Sequence, residues 1–153
     1  MKAIPDDIKK YEVVDAKGAV LGRIASIVAK HLLQGKYVAV VNADSAIISG
    51  SKSSIKSKYM IRLNLQEKEN PEHSPYWPRR SDMLVKRIIR GMLPYRSAHG
   101  KDAYERLRVY ISTPDEFKDA KKLEIEKKDP SRMYSNYTTI AELSKLLGYE
   151  KKM

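Results

Sequence analysis

The chain reads as an α/β protein, a three-layer α/β/α arrangement around a central, mainly parallel four-stranded sheet, with a C-terminal helical extension. Three observations predict it. Leu21, Ile24, Ala25, Val28, Ala29, Leu32 and Leu33 repeat at helical spacing. A strand candidate lies on each side of that helix, so strand, helix and strand follow one another as in a βαβ unit. The second of these strands, Tyr37 to Val41, is apolar without alternation, as expected where both faces of a sheet are covered. At 153 residues and 42% hydrophobic content the chain can bury one sizeable core, so a single domain spanning 1–153 is expected.

The elements follow in order. Tyr11 to Val14 is a short strand and Asp15 to Gly18 a turn; the helix from Leu21 then ends at Gly35. A right-handed crossover makes the strands on either side of it parallel. Ile47-Ile48 extends or flanks the second strand, and Tyr59 to Leu65 is expected to be a weaker strand or extended segment. Gln66 to Arg80 carries Pro71, Pro75, Pro78 and the only tryptophan, Trp77, and is predicted to be a loop. From Ser81 a helix places Leu84, Val85, Ile88, Ile89 and Met92 in one arc and Lys86, Arg87 and Arg90 in the other, before Gly91 as a C′ residue and Pro94 as a stop. A short helix around Lys101 to Leu107 and a strand from Arg108 to Ile111 follow. Asp115 to Asp129 alternates acids and lysines and suits a solvated helix ended by Pro130. Finally, Thr139 and Glu142 have capping-box spacing ahead of an apolar stripe of Ile140, Leu143, Leu146 and Leu147, closed by Gly148.

Charge is the strongest functional signal. The formal net charge is +11, and residues 51–108 hold 14 basic against 6 acidic residues while the remainder holds 16 against 13. The excess is therefore local and marks a face, which a polyanion partner would convert into phosphate contacts and counterion release. With no cysteine, disulfides, thiolate metal sites and thiol nucleophiles are excluded, in keeping with a reducing compartment. Met1 to Asp7 lacks an apolar signal core and the run Tyr37 to Val41 is too short to span a bilayer, so a soluble, cytoplasmic protein with no membrane partner is expected.

Catalytic signals are weak. Gly18 and Gly22 stand between strand and helix, but two glycines at that spacing do not make a dinucleotide fingerprint. Gly50-Ser51-Lys52-Ser53 lacks the upstream glycine, the Gly-Lys pair and a clear following helix of a phosphate loop. Asp15 and Asp44, near strand ends, are explained by turns and capping. His31, His73 and His99 share no metal-ligand spacing. No enzyme, cofactor, metal or small-molecule substrate is expected. A nucleotide- or phospho-substrate enzyme built on the βαβ unit is the alternative reading, and a free regulatory mRNA binder the third.

The basic residues form two groups. Lys52, Lys56, Lys58 and Arg62, beside Tyr59, follow at spacings of two to four residues and would line one side of an extended or turn segment as phosphate contacts. Arg79, Arg80, Lys86, Arg87, Arg90, Arg96 and Lys101 form the denser group, with His99 for stacking or phosphate hydrogen bonding and Tyr76, Trp77 and Tyr95 as stacking surfaces. No zinc ligands, basic zipper or helix-turn-helix spell a DNA reader, so structured RNA is the better class.

Asp15-Ala16, Leu21-Gly22-Arg23-Ile24-Ala25-Ser26, Leu33-Gln34-Gly35-Lys36, Val41-Asn42-Ala43 and above all Ile89-Arg90-Gly91-Met92-Leu93-Pro94 resemble, in order and spacing, the L-thirteen family of large-subunit ribosomal proteins. The resemblance covers about Tyr11 to Ile111; the charged linker and terminal helix of 112–153 resemble the archaeal branch. It implies an α/β body bound directly to large-subunit ribosomal RNA during assembly, among neighbouring ribosomal proteins, without catalysis. It further implies that Arg90, the following loop and Arg96 face RNA and that Gly91 and Pro94 set the turn. Lys36 is also counted with the expected RNA-binding set. Between Asn70 and Ser81 the chain departs from the family pattern, with Glu72, Ser74, Tyr76 and Trp77 where an arginine- and glycine-rich loop is expected.

Overall fold

The computed structural model describes residues 10–118, 120, 122–123 and 136–149. Strand β1 (Tyr11–Asp15), helix α1 (Leu21–Leu33) and strand β2 (Tyr37–Val41) form the expected unit, with β1 and β2 parallel from Tyr11 opposite Tyr37 to Asp15 opposite Val41. Strand β3 (Ile47–Ser49) and helix α2 (Lys52–Asn64) come next, then helices α3 (Ser81–Arg90) and α4 (Ala98–Glu105). Strands β4 (Leu107–Val109), β5 (Lys122–Leu123) and β6 (Tyr137–Thr139) follow, and helix α5 (Ile140–Leu146) comes last. The four-stranded sheet runs β4-β2-β1-β5, parallel throughout.

Alternation along the strands decides what each face meets. Val14, Val38 and Val40 point to one side and are buried with Ile24, Val28 and Leu32 of α1 and Val85 and Ile89 of α3. Each fully buried aliphatic side chain contributes about 1.5–3 kcal/mol. Val13, Ala39 and Val41 point to the other side, where Phe117, fully buried in the 3₁₀ turn Asp115–Phe117, covers them with Tyr11 and Tyr110 at the edge. Topology accounts for the two layers. The chain steps from β1 to β2 to β4 in one direction and keeps its helices on one face; the return from β4 to β5 reverses direction, and a right-handed crossover must then pass over the opposite face.

Several sequence expectations change. Tyr59 to Asn64 is the end of helix α2, with Leu65 its extended C-cap, not a strand. Its alternation of Tyr59, Ile61, Leu63 and Leu65 mimics a period of two, but Ile55 and Tyr59, four apart, are the buried pair, while Ile61 and Leu65 are exposed. Ser51 starts the helix by accepting a hydrogen bond from the Ser54 amide at 3.3 Å, so a helix does follow Gly50-Ser51; the upstream glycine and the Gly-Lys pair of a phosphate loop remain absent. Ile47 and Ile48 do not prolong β2, because Asn42 takes a left-handed conformation (φ 56°) and the 3₁₀ turn Ala43–Ser45 redirects the chain. They belong to β3, antiparallel to β6 in a separate two-stranded sheet.

The expected helix over Asp115 to Asp129 is replaced, where described, by the Phe117 turn and by β5, which pairs with Val13 and Val14; most of 119–135 lies outside the described residues, as does Pro130. Charge alternation suits a solvated helix, but burying Phe117 and completing the sheet edge outweigh it. Within α3, Leu84, Val85 and Ile89 are buried as expected, whereas Ile88 is half-buried and Met92 lies beyond the helix, 42% exposed.

The C-terminal helix α5 has the full capping box at Thr139 and Glu142. It docks on the body. Leu143 and Leu147 pack with Ile55 and Tyr59 of α2 and Leu84 of α3, and the Ser144 hydroxyl donates to the Arg79 carbonyl at 2.6 Å.

Candidate nucleic-acid interface

Helix α3 is oriented by burial. With Leu84, Val85 and Ile89 fixed in the core, Lys86, Arg87 and Arg90 must emerge on the opposite flank, half-buried along the surface. At the helix start, Arg80 grips the buried Asp82 with both arms of its guanidinium, Nε to Oδ1 at 2.6 Å and Nη2 to Oδ2 at 2.5 Å. The hydrogen bonds to Asp82 outweigh partial burial and push Arg80 above its ordinary pKa. Its charge is thus neutralised locally, and Arg80 sets the helix start rather than offering a free cation.

After Arg90 the chain turns tightly. Gly91 is right-handed (φ −65°), so it is not the left-handed C′ residue expected from sequence; its amide bonds back to the Arg87 and Ile88 carbonyls. Leu93 is buried as the anchor, the Tyr95 amide bonds to the Leu93 carbonyl at 2.8 Å, and the Ser97 amide to the Pro94 carbonyl at 3.0 Å. Ser97 then caps α4 by accepting from the Gly100 amide at 3.2 Å. Gly100 permits the whole turn. A Cβ there would stand 2.1 Å from the Pro94 carbonyl oxygen and 2.9 Å from the Tyr95 nitrogen.

The cations and aromatics of these elements interlock. Arg62 of α2 and Arg87 of α3 both lie over the Trp77 ring, at 4.5 and 5.1 Å, and Arg62 is also 5.2 Å from the Tyr59 ring. Arg90 lies over Tyr95 at 3.9 Å, and Lys86 over Tyr104 at 4.8 Å; Tyr95 and Tyr104 meet edge to face at 5.3 Å. Each such pair holds a guanidinium or ammonium in place with about 0.5–1 kcal/mol at an exposed site. Burial raises the Tyr104 hydroxyl pKa against the lowering effect of Arg90 and Arg87, so it stays protonated. Between these side chains runs an open groove of about 680 Å³ lined by Trp77, Arg87, Arg90, Leu93, Tyr95 and Arg96 among others.

Of the sequence-predicted residues, Arg87, Arg90, Tyr95, Arg96, Gly91 and Pro94 line this groove, with Arg62 reaching it through Trp77. Lys86 joins through Tyr104, and His99 and Lys101 lie exposed on α4. The first basic group does not line one side of an extended segment. On the helix, Lys58 and Arg62 fall on one flank of the Ile55–Tyr59 face and Lys52 and Lys56 on the other. Tyr59 is 6% exposed and packed, so its ring supports Trp77 and Arg62 and is not a stacking platform. Arg79 is exposed near Gly148 of the terminal segment. Lys36 stands apart, ion-paired with Glu12 at 2.7 Å at the start of β2.

Tyr104, Gly100 and the placement of Trp77 were not legible as site features. An isolated glycine within a helical pattern was the available signal for Gly100.

The sequence from residue 9 to 116 matches the family described as Ribosomal protein L13. The chain belongs to that family. Among relatives named large ribosomal subunit protein uL13, those of Methanococcoides burtonii and Methanopyrus kandleri are 47% and 40% identical over 89% and 95% of this chain, and 96% and 92% of their own lengths. That of Sulfurisphaera tokodaii is 42% identical over 89% of this chain and 93% of its own. The groove-lining segment from Arg87 to Ser97 lies inside the matched region of this L13-family chain, as does all of the four-stranded sheet except β5. Membership sets the chain among structural proteins rather than enzymes. No helix among the described residues is long and apolar enough to cross a membrane.

Proposed function

We propose that this chain is a structural constituent of the large ribosomal subunit, working as one domain in the cytoplasm, and that it binds ribosomal RNA directly to stabilise RNA packing during assembly. The observation that carries the reading is that the segment with the greatest basic excess is also where most of the cation–ring pairs among the described residues lie, which biases those cations toward set positions. Cations free to wander would lose side-chain entropy on binding; these have already given up part of it. Arg62, Lys58, Lys86, Arg87, Arg90, Arg96 and Lys101 neutralise phosphates, His99 stacks or hydrogen-bonds beside them, and the α/β body fixes their relative positions. The relatives' name fits this assignment and adds neighbouring ribosomal proteins as partners.

Sucrose-gradient sedimentation of a tagged copy from native lysate, with a high-salt wash, tests it. Salt-resistant migration with the large subunit is expected; protein at the top of the gradient would return the chain to the free-regulator reading.

A further inference from the structure

We propose that the groove between Trp77 and Tyr95 receives one unpaired RNA base turned out of its helix, so that this face recognises a bulge or loop rather than continuous duplex. The proposal rests on the RNA-binding reading above and names the kind of RNA that the same site takes.

The lining is the first argument. Phosphates require only cations on an open surface, yet Trp77, Leu93, Pro94 and Tyr95 give this groove apolar walls between Arg87, Arg90 and Arg96. In a duplex the bases are already stacked on one another and cannot use such walls, whereas an unpaired base stacks on aromatic rings and guanidinium planes alike. The stacking order is the second. Arg90 lies over the Tyr95 ring at 3.9 Å, and Arg87 over Trp77 at 5.1 Å. Arg90, lining the groove beside Tyr95, offers a planar group on which a base can stack, with in-plane N–H groups suited to a phosphate or a base edge. The groove, about 680 Å³ and open to solvent, is roomy enough to admit a base. The turn that forms the wall is also fixed, by the Leu93 anchor and by the close approach of Gly100 to Pro94, so the groove exists before RNA arrives.

The only tryptophan of the chain lines the groove, which makes its fluorescence a direct reporter. The full-length chain is titrated with two RNA hairpins whose strands are joined by the same non-nucleotide linker, so that neither has loop bases, and which differ only in that one carries a single-nucleotide bulge and the other is fully paired. The bulged hairpin should bind about tenfold more tightly, a ratio typical of one stacked base, and quench the tryptophan, while the paired one leaves it bright. Arg90→Lys keeps the charge but removes the planar face, and should narrow the ratio between the hairpins, as should Tyr95→Leu. Equal affinity and equal quenching by both hairpins in the wild-type chain would overturn the base-pocket proposal and leave RNA binding standing. Binding to neither hairpin would overturn both. The wild-type comparison decides the matter without any variant, so a variant that fails to fold does not protect the idea.

Discussion

Gly100 carries more of the interface than its lack of a side chain suggests. It sits in the first turn of α4, where any Cβ would be forced to 2.1 Å from the Pro94 carbonyl oxygen. Backbone atoms cannot give way as the end of a flexible side chain can, so the Pro94–Ser97 turn must move. Gly100→Ala should therefore lower the affinity for ribosomal RNA several-fold and cost about 1–3 kcal/mol of stability, as overpacking generally does. Filter binding and thermal denaturation of the purified variant measure the two effects. Unchanged affinity would show that the turn and its Tyr95 and Arg96 side chains do not need their present position. Gly91, by contrast, is right-handed, and a Cβ there would stand 3.3 Å from the Ile88 carbonyl oxygen, tight but not forbidden, so alanine is the milder change at that position.

At the scale of the element, α3 serves two surfaces with one stretch of sequence, and its residues test both. Changing Lys86, Arg87 and Arg90 together to glutamine should weaken RNA binding and flatten the salt dependence of log K by about 2–3, close to one per phosphate neutralised. The structure adds a stability cost of up to about 0.5–1 kcal/mol for each cation withdrawn from its aromatic ring. An unchanged salt slope, measured by binding across a salt series, would remove this helix face from the interface. The two faces of α3 were legible in sequence because a steep helical period separated aliphatic from basic residues. Helix α2 was not. Its apolar periodicity is shallow, its period-two alternation of Tyr59, Ile61, Leu63 and Leu65 is accidental, and the Ile55–Tyr59 seam has meaning only once α5 lies against it. The site follows the same rule: the basic residues were countable along the chain, while the pairing of Arg62 with Trp77, or of Tyr95 with Tyr104, joins distant segments that only the fold brings together.

At the scale of the whole molecule, a net charge of +11 makes acid a double stress. Glu12 is held below its ordinary pKa of 4.5: burial would raise it, but hydrogen bonds and charge from Lys36 and His31 outweigh that effect. Since the folded value is depressed, this contribution is complete above about 4.5 and is lost as pH falls through the folded value. Glu12→Gln should accordingly flatten the pH dependence of the melting temperature on the acid side of about pH 4.5; an unchanged acid slope in thermal melts across pH would show that the Glu12 pairing does not stabilise the fold. The docking of α5 has a consequence for biogenesis. On a growing polypeptide the sheet core, α1 and α3 emerge well before 137–149, yet Leu143, Leu147 and Ser144 are what clamp α2 to α3 and secure the Arg79 carbonyl. Vectorial synthesis therefore delivers β1, β2 and β4 first and the clamp between α2 and α3 last. A nascent chain lacking those residues carries its α2 cations without the clamp that sets their distance from α3, so their final spacing comes only after α5 has left the exit tunnel.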